Sequence, residues 1–505
     1  MLLARTCLAL SIATLLVSPP IAGAKDPLGK IPEAVHTFAG DLTLDAAVKI
    51  AVRQNPDLLK QLQEIERTRG QIIEVRAEAL PHLRLNGIYD QRAKDLLESG
   101  NRSSSGSFST IDTTTVDPAI QSILNALGTS SSGSNRVVQN KSWQLTLQAQ
   151  QVLYAGGQVR SAIKIAKFAD DAAYFQLRDV VDRVIATVRS QFTAVLTNRA
   201  LIKVAEETVR LQTDQLRDQK NRFEAGTVAR FNVLRAEVEL ANVQPDLIRA
   251  RNNYLLAEIA LAKTLSLDPG LAGKPTFQAV GNLEITELTL GLQSALELGR
   301  ARRPFLKVQR QQILQQTEQI KVAMAGYKPR LDANAGWEVR NSRLSEDLDK
   351  TVDGWFFGVT GSWNIFDGLA TSGRVKQARA SLESAKINYD DSVQKVDLEV
   401  QTAYANLQTA RETIRSQQKN VEQANESLRL ANERFAAGAG TQLEVLDART
   451  ALTKARSTEL QSRGDYNTAL AEFNRATATD TIYAEPFRDP LEKLENKVLS
   501  KTKKK

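Results

Sequence analysis

The chain has 505 residues, of which 25% are charged, with a formal net charge of +8 and a single cysteine. Aromatic residues make up 6% and there are 2 methionines, a thin supply for several globular cores and a better match to extended helices. The positive charge is mild for this length and is interspersed with acid, so nucleic-acid binding finds little support.

Residues 1–24 have the form of a secretory signal peptide. Arg5 supplies the charged start, Leu8 to Val17 the apolar run, and Ala22-Gly23-Ala24 the cleavage site. Cys7 lies inside this segment, too far from the cleavage site to carry a lipid anchor. A mature chain would then have no thiol, which excludes disulfides, cysteine metal sites and cysteine nucleophiles. No later stretch reaches the ~18 apolar residues of a spanning helix.

After a leader (25–41), residues 42–270 form a first repeat. It opens at Leu42-Thr43-Leu44-Asp45 as a helix that continues to Leu80, broken at Asn55-Pro56 and ended by Pro81. Two strands follow, 82–91 and 142–153. Leu83, Leu85 and Tyr89 alternate with Arg84, Asn86 and Asp90; Trp143, Leu145, Leu147 and Ala149 alternate with Gln144, Thr146 and Gln148. The Ser/Thr-rich segment 101–135 between them is expected to be a surface loop, with Ile120 to Leu127 as a short helix. A long helical hairpin, 158–265, turns at Gly226 and stops before Pro269-Gly270. A linker (271–287) leads to a second repeat, 288–480, with Arg303-Pro304 and Pro329 matching the earlier prolines. Its strands are 330–341 and 355–366, its hairpin 371–477. A basic tail, 481–505, ends in Lys503 to Lys505.

The duplication is clearest in the long helices. Val181, Val188, Val195, Ile202, Val209, Leu216 and Phe223 form an unbroken seven-residue stripe, repeated by Val393, Val400, Leu407, Ile414, Val421, Leu428 and Phe435. Each stripe runs into glycine, Gly226 or Gly438. Three residues after the stripe positions stand small or amide side chains, among them Gln212, Gln219, Ala403 and Ala424. They suit closely packed helices in a curved wall with a wet inner side, or equally an ordinary two-stranded hairpin with a weak second seam. Four amphipathic strands cannot close a barrel with a passage, but several chains giving four each could do so, removing the sheet edges and turning the apolar face to lipid. Tyr89, Trp143, Trp337, Trp355 and Trp363 would supply interfacial aromatics.

These residues resemble the TolC family of outer-membrane efflux proteins. The resemblance runs from Leu42 to about Asp480 and rests on Leu42-Thr43-Leu44 with Asn55-Pro56, on Ala79-Leu80-Pro81, and on two tips. Arg222-Phe223-Glu224-Ala225-Gly226 is followed by Val233-Leu234-Arg235-Ala236; Arg434-Phe435-Ala436-Ala437-Gly438 is followed by Val445-Leu446-Asp447-Ala448. The resemblance implies a mainly α chain with a membrane β portion, assembled as a homotrimer with a 12-stranded β-barrel in outer-membrane lipid on a long α-helical barrel in the periplasm. It also implies a periplasmic adaptor and an inner-membrane pump of RND, ABC or MFS type.

Carried over by position, Arg222, Phe223, Gly226, Val233, Leu234, Arg434, Phe435, Gly438, Val445 and Leu446 would contact the adaptor. Glu444 and Asp447 would line a pore constriction as a cation-attracting ring. The tip residues also suit packing of the turn, and Thr441 to Glu444 reads as a capping box. Gly440 stands where the family places a basic partner, and Asn232 where it places an acid, so the family's locking network is not matched. No nucleotide loop, metal motif or nucleophile elbow is present, so no enzyme activity, cofactor or metal is expected. The rival expectation is a periplasmic coiled-coil adaptor or scaffold without a pore.

Overall fold

The computed structural model describes residues 38, 40–91, 93, 141–268, 277–286, 290–341 and 348–479. The signal peptide, most of the leader, linker residues 271–276 and 287, segment 101–135 with its expected helix, Pro269-Gly270 and the basic tail lie outside them. In chain order the elements are β1 (Gly40–Leu42), α1 (Leu44–Gln54), α2 (Pro56–Ala77), β2 (His82–Gln91), β3 (Lys141–Ala155), α3 (Gln158–Glu224), α4 (Arg230–Leu265), β4 (Phe277–Ala279), α5 (Leu292–Arg302), α6 (Pro304–Met324), β5 (Arg330–Asn341), β6 (Thr351–Ser362), α7 (Ala370–Ala436) and α8 (Gln442–Thr477). The two long helices, α3 and α7, have 67 residues each, about 100 Å at ~1.5 Å per residue.

The chain divides into two units. The first comprises residues up to Glu64, Tyr174–Lys307 and those from Asp391 onward. Its core holds Val181, Val188 and Val195 of the first heptad stripe and Val400, Leu407 and Ile414 of the second, all buried. The hairpin α7–α8 closes over Ala424, Leu452 and Ala455, with Val421 and Leu428 against them. Helix α8 also meets α3, through Thr208 with Thr453 (3.5 Å) and Arg456 with Glu207 (3.4 Å). Gln212 and Gln219 are 7% and 2% exposed, so these amides lie inside the packing rather than on a wet side. A neighbouring helix covers a position that the periodicity of one helix alone could not assign to a face.

Where the sequence reading opened a helix at Leu42, the structure has a strand. β1 pairs in parallel with β4, Leu42 opposite Ala279, and both are fully buried. Three-residue strands are too short to show alternation. Thr43 instead caps α1, accepting from the Ala46 amide (3.4 Å). Asn55 is extended because Pro56 follows it. Its Nδ2 donates to the Thr264 carbonyl (2.9 Å), and Gln54 Nε2 donates to the Leu265 carbonyl (2.6 Å), so the α1–α2 break satisfies the C-terminal carbonyls of α4. The second copy does this with different chemistry: Arg303, 4% exposed, donates to the Arg475 carbonyl of α8 (3.0 Å) and to Glu399 (2.9 Å).

The second unit comprises Ile65–Ala173 and Val308–Asp390 and holds a four-stranded antiparallel sheet of order β2-β3-β5-β6. Register places Leu85, Leu147, Trp337 and Trp355 in one row, and Leu83, Ala149, Ala335 and Phe357 in the next. The large members of these rows are exposed, Trp355 at 76%. Strands β2 and β6 are the sheet edges. β6 runs Thr351–Ser362, not 355–366, and Trp363 lies beyond it. The ladder ends because β5 starts at Arg330, opposite Ser362, and it begins early because Asn341 still pairs with Thr351. Trp363 instead donates its indole N–H to the Tyr327 carbonyl (3.1 Å).

Beside the sheet, Glu318 of α6 is buried and receives Lys164 (3.2 Å) and Lys321 (2.7 Å). Burial pushes its pKa up, but the hydrogen bonds from Lys321, Lys164 and Ser161 together outweigh burial and hold it below the ordinary glutamate value. With its folded-state pKa below the unfolded ~4.3, Glu318 contributes stability that is present above the unfolded value and is lost as pH falls through the folded one. Glu318→Gln is therefore expected to flatten the acid side of the stability curve below about pH 5, read by thermal melts across pH. An unchanged acid limb would refute the assignment.

Candidate functional site: the tips of the two long hairpins

Both hairpins turn by the same backbone device. In the first, Gly226 has φ 73° and its N–H donates to the Phe223 carbonyl (2.9 Å), while the Thr227 N–H and Oγ1 both donate to the Arg222 carbonyl (2.9 Å each). In the second, Gly438 has φ 70°, its N–H donates to the Phe435 carbonyl (3.1 Å), and the Ala439 N–H donates to the Arg434 carbonyl (2.9 Å). This left-handed glycine closes the helix end in each copy.

Each tip is then stapled by charge within its own hairpin. Arg222 pairs with Asp218 (2.8 Å), and Lys220 reaches across to Glu237 (3.1 Å). Arg434 reaches across the second turn to Glu444 (3.6 Å) and donates to the Ala439 carbonyl (3.3 Å). Glu444 sits in the first turn of α8, its amide donating to the Thr441 hydroxyl (3.3 Å), where a carboxylate also favours the helix dipole. Asp447 is exposed and has no ion-pair or hydrogen-bond partner among the described residues. Val233 and Val445 are buried, Phe435 and Leu446 are half-buried, and Phe223 (44%) and Leu234 (49%) are exposed. Between the tips lies a cavity of about 290 Å³, lined in part by Gln215, Asn232, Phe435, Leu443, Leu446 and Arg449. Arg449 donates to Gln215 across it (3.5 Å).

The model of the family described as outer membrane efflux protein matches residues 118–266 and 295–479. The chain belongs to that family. It is 30% identical over 246 residues to protein CyaE of Bordetella pertussis, covering 48% of this chain and 50% of CyaE. It is 29% identical over 113 residues to outer membrane protein TolC of Escherichia coli, covering 22% of this chain and 23% of TolC. The chain thus spans half the length or less of these curated relatives. Its fold is that of the Campylobacter jejuni CmeC outer membrane channel, with a TM-score of 0.68 at 18% identity over 86% of this chain and 85% of CmeC.

Within this family member, the structure brings the predicted tip residues of each hairpin to one turn and leaves Asp447 one helical turn further along α8. It also shows what residue matching missed. The basic partner of Glu444 is Arg434, on the other side of the turn. Gly440 permits it: a Cβ at Gly440 would stand 3.1 Å from the Arg434 Cβ and 3.1 Å from the Phe435 nitrogen. The available cue was a basic residue ten positions before an acid across a tight Gly-containing turn. Among the described residues, no group of three or more His, Cys, Asp or Glu could hold a metal ion.

Proposed function

We propose that three copies of this chain form a passive exit duct: a twelve-stranded barrel in the outer membrane with an α-helical tunnel in the periplasm, serving a tripartite efflux or type I secretion system. The observation that carries this is the four-stranded sheet with one apolar face and two unpaired edges, β2 and β6. An isolated sheet of that kind exposes both its ladder groups and its aromatic face, and closure with further copies removes both liabilities. The strands, 10 to 15 residues long, have the length a tilted membrane strand needs. No helix among the described residues is long and apolar enough to cross a membrane.

The helices make the same demand. α3 and α8 are flanked by their hairpin partners, while α4 exposes Phe231, Val238, Ile248 and Leu256 and α7 exposes Leu398 and Leu430. These stripes fit neighbouring copies. The tips, with Arg222, Phe223, Leu234, Arg434 and Leu446 at the surface or half-buried, would meet a periplasmic adaptor, and an inner-membrane pump would supply the energy. A periplasmic scaffold without a pore is the competing reading, and the exposed aromatic sheet face weighs against it. Detergent-purified protein is expected to have the mass of a trimer by light scattering and to give step conductances in planar bilayers. A monomer without current would reject the duct; release from membranes by salt alone would favour the scaffold.

A further inference from the structure

Residues in register on a sheet share a face. Arg330, Asp332 and Asn334 therefore lie with Ser362 and Thr360 on the polar face, opposite the row that holds Trp337 and Trp355. At the foot of that face is a cavity of about 490 Å³ lined in part by Lys328, Arg330, Ser362, Asn364, Arg374 and Gln377. Its walls are held close by two glycines. A Cβ on Gly156, whose φ is 61°, would stand 2.9 Å from the Ala325 carbonyl and 3.0 Å from the Lys328 Cβ; one on Gly326 would stand 2.5 Å from the Thr371 hydroxyl. The segment carrying Lys328 is thereby clamped between the end of β3 and the first turn of α7.

The charges around the cavity are unevenly balanced. Arg330 donates through Nε and Nη2 to the two Asp332 carboxylate oxygens (2.8 and 3.2 Å), with Glu78 as a further negative neighbour. Arg374 donates to the Thr371 hydroxyl (2.9 Å) and lies 3.7 Å from Asp367, a carboxylate held below its ordinary pKa by its hydrogen bonds from Thr371. Lys328 is exposed and has no ion pair or side-chain hydrogen bond among the described residues. Lys328 thus lines the cavity together with Arg330 and Arg374, beside Ser362, Asn364 and Gln377, with Ala155, Val322 and Ala378 completing the wall.

We propose that this cavity binds the phosphate group of a soluble anion, with Lys328 as the uncompensated charge and Arg374 as the fork donor that orients the phosphate oxygens. Its position on the polar face, away from Trp337 and Trp355, assigns the ligand to solution rather than to lipid. The inference holds whether or not the assembled chain conducts.

Inorganic pyrophosphate titrated calorimetrically into the detergent-solubilised full chain is expected to bind saturably, once per chain. Lys328→Gln should lose at least about tenfold in affinity and Lys328→Arg should retain it, with circular dichroism unchanged because the side chain is exposed. In nanodiscs of phosphatidylcholine, added phosphatidylglycerol should leave the titration unaltered. Absence of saturable binding, or full affinity in Lys328→Gln, would overturn the site. Displacement of pyrophosphate by phosphatidylglycerol would overturn the assignment to a soluble anion.

Discussion

Gly336→Ala is expected to remove nearly all folded protein from the outer membrane. Gly336 sits in β5 between Gln148 of β3 and Phe356 of β6. A Cβ there would lie against the Leu147 backbone carbonyl and 2.7 Å from the Phe356 ring. Overpacking costs ~1–3 kcal/mol where surroundings relax, but here one obstacle is a ladder carbonyl that cannot move without breaking the β3–β5 pairing. The ring of Phe356 covers the glycine on the polar face, the way an aromatic neighbour shields a bare strand position. Two controls separate these causes. Gly354→Ala, in β6 with nothing within 4 Å of its added Cβ, should assemble normally. Phe356→Ala should fail to rescue Gly336→Ala, because the carbonyl remains. The measurement is the folded fraction in outer-membrane extracts; at least a tenfold fall is expected from the overpacking cost. Rescue by Phe356→Ala would show that the ring alone was the obstacle.

Gly336 also marks where sequence reading stops. Alternation in Leu331, Ala333, Ala335 and Trp337 reveals a strand and its apolar face, because each side chain reports its own environment. It does not reveal the partner, and strand ends are partner properties: β6 ends at Ser362 because β5 begins opposite it, although Trp363 and Ile365 continue the pattern. The heptad stripes were legible for the same reason, and both turns were placed by Gly226 and Gly438. β1 and β4 were not, since three residues cannot show a period and their pairing joins positions far apart in the chain. At the tip, matching residue by residue located Glu444 and Asp447 but missed the pairing of Arg434, which depends on how a two-sided turn folds back. The absence of a side chain at Gly440 read as a lost partner; in three dimensions it is the gap through which the partner reaches.

That pairing sets the order of effects at the proposed constriction. Replacing Asp447 with asparagine is expected to weaken block of the channel by Mg²⁺ about tenfold, whereas removing the neutral pair together (Glu444→Gln with Arg434→Gln) should change it by only ~2-fold. Glu444 is already compensated by Arg434 at 3.6 Å, while Asp447 is exposed without a cation. A divalent ion about 10 Å from a carboxylate at an effective dielectric constant near 20 gains a few kcal/mol before screening, and salt reduces that to on the order of 1 kcal/mol. In a trimer one substitution removes three charges from the ring. Arg434→Gln should act in the opposite direction, releasing Glu444 to the ring and tightening block. Gly440→Ala should resemble Arg434→Gln if its added methyl displaces the Arg434 side chain. All four variants alter exposed or half-buried positions at a turn, so assembly should survive and conductance remain measurable. Equal effects of Asp447→Asn and of removing the pair would mean that Arg434 does not neutralise its neighbour in the assembled duct; no effect of either would remove the constriction from the tips.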